Sequence, residues 1–211
     1  MTEVNKVFAS VFRELENSGL LLVSGTELTD VRGLVSKSRT SGSWWKDPSA
    51  HTIFAVSEIL EDHPDVVVTK LVAGKVTFVH RILWDQLYAI ATSRAEWQMQ
   101  GLSDEALKLL KKLDKDQSAQ SDKLTAGFGD KASNITRELE ARLLIHTRQF
   151  HTESGKHAKL LRSWKSWANA GGFRPRAMDA VSAMHSLEKR LLEFNSTARL
   201  ERLIPWPLTS K

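Results

Sequence analysis

Apolar positions at the start of the chain recur at helical spacing. Val4, Val7, Phe8, Val11, Phe12 and Leu15 fall on one face at 3.6 residues per turn and predict an amphipathic helix. Gly19 supplies the left-handed position that ends it. Residues 20–24 ("LLLVS") read as a short buried strand. Leu28, Val31, Leu34 and Val35 predict a second short helix, with Thr26 or Thr29 as its cap. "SKSRTSGSWWKDPS" is a loop by its Ser, Gly and Pro content. A third helix opens at Pro48 and Ser49 and runs to about Glu61, burying Ile53, Val56, Ile59 and Leu60. Two β-branched runs, 66–72 and 75–81, are separated by Ala73-Gly74, a two-residue hairpin signal. A fourth helix is predicted over about 82–93.

The second half is predicted to be helical. Residues 103–115 form a helix capped by Ser103, with Asp104 and Glu105 in its first turn. Residues 116–131 are polar and read as a surface loop or linker. From about Lys131 to Ala170 the positions Leu139, Leu143, His146, Phe150, Ser154, His157, Leu161, Trp164 and Ala168 follow a nearly heptad-like spacing. That predicts one long helix with a packing seam. The Gly pair at 171–172 ends it, and a last helix is predicted over 176–203. No internal repeat of 20–50 residues is evident.

The order helix, strand, helix, helix, strand, turn, strand is that of a winged helix. The expectation is therefore an α+β chain: a winged-helix-like domain over 1–95, a short helix and polar linker over 96–131, and a helical hairpin domain over 132–211.

Composition adds charge to this picture. The chain has 211 residues, a formal charge of +5 and no cysteine, so thiolate metal sites and disulfides are excluded. Charge is uneven: residues 47–65 carry five acids and no base, whereas residues 132–211 carry fourteen bases and seven acids. A basic C-terminal part favours a polyanionic partner. No apolar run is long enough to span a bilayer and no signal peptide is visible, so no membrane partner and a cytoplasmic location are expected.

Candidate contacts with nucleic acid come from the same placement. On the expected long helix, Arg148, Lys156, Lys159 and Arg162 form a basic stripe opposite the seam. In the loop, Arg39 and Lys46 flank Trp44 and Trp45, of which one packs inward and the other is available to stack on a base or cover the core. Lys70 and Lys75 lie on the hairpin. The third helix offers Glu58, Glu61 and Asp62, which repel phosphate.

"HTRQFHTESGKHAK" (146–159) is the other concentration of chemistry. Its histidines, at 146, 151 and 157, are five and six residues apart. Within one helix that spacing brings no pair onto one ion, so no metal site is expected. His151, Glu153 and His157 are the candidates for general acid–base work. No phosphate-binding Gly-rich loop, G-x-S-x-G or H-E-x-x-H is present, and no cofactor is expected.

"GSWWKDPSAHTIF", "DVVVTKLVAGKVTFVHRILW" and "RLLIHTRQFHTESGKHAKLLRSW" resemble motifs of a bacterial protein family that has no assigned activity. The resemblance spans about residues 42–167 and implies no functional residue. The residues themselves favour nucleic-acid binding, DNA first, without intrinsic chemistry. The alternatives are an enzyme with a His/Glu pocket at 146–157, or a structural protein that self-associates through the 139–168 seam.

Overall fold

The first amphipathic segment forms helix α1 (Glu3–Ser18), which buries Val11 and Leu15. The protein is described by a computed structural model covering residues 3–36, 43–152, 155, 157–196 and 199–208. Gly19 ends α1 at φ +77°, and a Cβ there would lie 2.5 Å from Leu83 Cδ1. Conformation and space thus both call for glycine. Arg190 donates to the Ser18 carbonyl at 3.0 Å and to the Asn17 carbonyl, satisfying acceptors that the helix end leaves open.

The chain divides into two units: residues up to Trp84 with His185–Ile204, and Asp85–Met184 with the residues from Pro205 onward. In unit 1, α1 is followed by β1 (Leu20–Leu22), α2 (Val31–Val35), α3 (Ala50–Asp62), β2 (Val66–Thr69) and β3 (Thr77–His80). Asp30 caps α2 by accepting from the Gly33 amide. The strands make one antiparallel sheet in the order β1-β3-β2, with Leu21 opposite Phe78 and Val67 opposite Val79. Phe78, Leu21 and Val66 close over Val11, Leu15, Ile53, Val56 and Leu60 to form the core. At the hairpin tip Ala73 and Gly74 both have positive φ, +51° and +66°. The Lys75 amide closes the turn on the Val72 carbonyl at 2.9 Å.

Unit 2 holds α4 (Trp84–Thr92, from Asp85 onward), α5 (Glu96–Met99), α6 (Asp104–Asp116), β4 (Ser118–Gln120), α7 (Ser121–Phe128), α8 (Ala132–Ala141), β5 (His146–His151), β6 (His157–Arg162) and α9 (Trp164–Ala170). Helix α10 (Ala180–Phe194) contributes up to Met184. Its sheet is antiparallel, in the order β4-β6-β5. Ala106, Leu109, Leu110 and Leu113 of α6 meet Leu124, Ile135, Leu139 and Leu161 in its core.

The two units share one plan. Unit 1 runs α1, β1, α2, α3, β2, β3, and unit 2 runs α6, β4, α7, α8, β5, β6. In each, the first strand pairs with the third and the third with the second. The repetition is one of topology, and it lies outside the 20–50-residue window in which the sequence shows no repeat.

The mixed helix and strand content is as expected, but the long helix over 131–170 is not formed. Helix α8 stops at Ala141, where Leu143 takes φ +54° and the Leu144 amide reaches back to the Leu139 carbonyl at 3.0 Å. The Trp164 indole holds that turn by donating to the Leu143 carbonyl at 2.8 Å. Beyond the turn the chain forms a strand pair, with Gly155 at φ +76° in its connection. The heptad-like spacing was satisfied by buried residues drawn from several elements: Leu139 from α8, His146 and Leu161 from strands, Trp164 and Ala168 from α9. The segment 116–131, expected as a loop, holds β4 and α7. The last helix is confined to Ala180–Phe194, and a 3-10 turn comes after it at Leu200–Arg202.

Candidate functional site

Helix α8 is amphipathic. Ala132, Ile135, Thr136, Leu139 and Glu140 are buried, whereas Ser133, Asn134 and Arg137 are exposed, Ser133 and Arg137 lying one turn apart on the side that borders Glu140. Beside it stands the β5–β6 pair. Successive side chains of a strand face opposite ways, and Gln149 is opposite Lys159 in register. Thr147, Gln149, His157 and Lys159 therefore share the face toward α8.

At the base of that face lies a buried carboxylate. Glu140 is 5% exposed. It accepts a short hydrogen bond from the Thr147 hydroxyl and a charged one from Lys159 Nζ at 2.7 Å. The Lys159 amide in turn donates to Ser121 Oγ of α7 at 2.8 Å. Four elements, α7, α8, β5 and β6, are pinned around one charge pair, above which opens a pocket of about 610 Å³. Arg137, Gln149 and His157 line it, together with Asp122 and Asp130. Because Lys159 and Glu140 match each other, the pocket is electrically mixed and is not a cation-lined phosphate cradle.

The expected basic stripe is divided by the sheet. Arg148 and Arg162 stand on the face opposite Lys159, because the period here is two and not 3.6. Arg148 is exposed and Arg162 half-buried. Lys156 and Glu153 lie outside the described residues. His151 occupies the register position opposite His157, and His157 is exposed at the pocket.

His146 is a packing residue, as its place on the expected seam suggested. It is 7% exposed, with ring centroids 5.6 Å from Trp164 and 6.0 Å from Trp167. Burial, aided by the charges of Arg162 and Arg148, pushes its pKa down to about 4, so the ring is neutral at pH 7.

The unit 1 candidates scatter. Trp44 is half-buried against the core and stacks on Trp45 at 3.9 Å; Trp45 is the exposed member, at 61%. Lys46 is exposed, Lys70 half-buried, and Arg39 lies outside the described residues. Lys75 is engaged by Glu27, at 2.6 and 2.7 Å from its two oxygens. Burial opposes ionisation of Glu27, but the hydrogen bond from Lys75 and backbone amides hold its pKa below the usual carboxylate range.

Ser133, Asn134 and Arg137 were not singled out from the sequence. Their signal was present: they sit at i, i+1 and i+4, outside the apolar stripe of Ile135 and Leu139. Phasing the segment on a longer seam that does not exist concealed it.

Among the described residues no group of three or more His, Cys, Asp or Glu is arranged to hold a metal ion, and no helix is long and apolar enough to cross a membrane. Comparison with protein-family models, curated proteins and solved structures finds no match.

Proposed function

We propose that the chain is a nucleic-acid-binding protein and that unit 2 carries the contact with duplex DNA. The observation that carries the reading is the exposed face of α8. Arginine pairs with guanine O6 and N7, asparagine with adenine N6 and N7, and serine with either class of edge. Ser133, Asn134 and Arg137 place these groups together on one side of one helix.

The winged-helix reading of each unit is supported by its helix and strand order and by the pairing of its first strand with its third. In that arrangement α8 is the third helix, the position that enters the major groove, and the β5–β6 pair flanks it. Lys123, exposed on α7, is a cation that can meet phosphates. Lys159 is assigned a different role from the one its charge suggested: it secures Glu140 and the strand pair beside α8.

Unit 1 does not share this face. The exposed side of α3 presents Phe54, Glu58 and Asp62, and these carboxylates repel phosphate. The chain thus reads as two similar frames with opposite surface chemistry. Fluorescence anisotropy of a labelled DNA duplex titrated with the full chain tests the proposal. The expected result is affinity that falls steeply as salt is raised. Absence of binding, or binding indifferent to salt, would overturn it.

A further inference from the structure

Two aromatic rings that a folded chain would ordinarily cover stand on the surface of unit 1. Trp45 is 61% exposed and Phe54 42% exposed, with centroids 5.7 Å apart. Trp45 rests on Trp44, which packs on the core. The base beneath them is fixed. The adjoining Asp47 is 4% exposed. It accepts from Arg32 Nε at 3.1 Å, Ser36 Oγ at 3.0 Å and the Ser49 amide at 3.0 Å. Its own amide closes the turn on the Trp44 carbonyl at 3.0 Å. A large aromatic on a rigid base loses little entropy when a partner covers it, which is the physical character of an interface hot spot.

The charge around these rings decides what can cover them. Glu58 and Asp62 succeed Phe54 at intervals of four residues, so all three lie on one exposed face of α3. Of the five acids in residues 47–65, Asp47 is paired with Arg32 and Asp65 with Arg81, so the negative charge of this face comes from α3, while Lys46 is exposed beside Trp45. A polyanion is repelled by this face. A cation is drawn to it twice, by the carboxylates and by the open face of the indole.

We propose that the Trp45–Phe54–Glu58 face of unit 1 is a docking site for a basic amphipathic helix of a partner protein. Apolar side chains of that helix cover Trp45 and Phe54, and its Lys or Arg residues meet Glu58 and Asp62. The site is built from residues that the proposed DNA contact does not use, so either reading can fail without the other.

The test is calorimetric titration of the full chain with a synthetic amphipathic helix of Leu, Lys and Arg. A control peptide keeps the Leu positions and carries Glu in place of the cations. The basic peptide is expected to bind and the acidic one not to. Trp45→Ser and Glu58→Lys, each with an unchanged thermal melt, are each expected to weaken binding by about tenfold or more. Phe54→Ser provides a second aromatic variant should Trp45→Ser alter the melt. Three results would overturn the proposal. One is equal binding of both peptides. Another is binding untouched by the variants. The third is a self-associated chain that Trp45→Ser converts to monomer, since a second copy would then be the occupant.

Discussion

Lys159 Nζ lies 2.7 Å from Glu140 Oε1, and the glutamate side chain is only 6% exposed whereas the lysine is 30% exposed. The pair joins β6 to α8 and, through the Lys159 amide, to α7. Removing the lysine leaves a buried carboxylate without its counter-charge, which is costly. Lys159→Met should lower stability by about 2 kcal/mol, discounted for the partial exposure of the lysine. Glu140→Gln combined with Lys159→Met should recover most of that loss. Urea denaturation of the two variants measures both; a neutral Lys159→Met would show that the pair does not pin the strands.

Gly19 and Leu83 make a second test of the frame. Gly19→Ala must hold alanine at φ +77° and brings its Cβ to 2.5 Å from Leu83 Cδ1. The expected loss is about 1–3 kcal/mol, read from thermal or urea unfolding. Gly74, also at positive φ but with nothing within 4 Å, should lose less on the same substitution.

Ala73 is a residue whose conformation its side chain does not favour, at φ +51° in the β2–β3 turn. Asparagine tolerates that region better than alanine. Ala73→Asn should raise stability by about 0.5–1 kcal/mol, with no change in the slope of the denaturation curve.

His146 gives the fold a dependence on acid. Its pKa is near 4 folded and 6.5 unfolded, so below pH 6.5 the unfolded chain binds a proton that the folded chain refuses. Stability is therefore full above about pH 6.5 and falls as pH drops toward 4, by on the order of 3 kcal/mol from this group. Burial also lowers the pKa of His80, which adds loss in the same direction. His146→Leu should flatten the stability profile between pH 7 and 5 relative to wild type. Identical profiles for the two proteins would contradict the burial argument.

Unit 1 was largely legible because its signals are local. The α1 stripe, the stop at Gly19 and the Ala73-Gly74 turn each depend on neighbours a few residues away. Unit 2 was not, because its decisive break is Leu143, a leucine in a left-handed conformation that no local preference announces. Its left-handed turn is held by hydrogen bonds from Leu144 and Trp164, the latter 21 residues on. Once that break is missed, "TESGK" passes for an interruption in a helix when Gly155 marks the turn between two strands. The site took the same course. Lys159 and Arg162 were placed together by a helical period and separated by a strand period. Lys159 drew notice for its charge, and only its contact with Glu140 shows that the charge is already matched. The short face of Ser133, Asn134 and Arg137 becomes visible when α8 is given its true length.

Arg137→Glu tests the proposed contact of the exposed α8 residues with duplex DNA. Arg137 is exposed, and its hydrogen bond to Ser133 is a long one, 3.4 Å, so the substitution should leave the thermal melt unchanged. By anisotropy at fixed low salt, the variant should bind a DNA duplex at least about tenfold more weakly than wild type. Glu58→Lys in unit 1 should not produce that loss. Wild-type affinity in the Arg137→Glu chain would contradict the account.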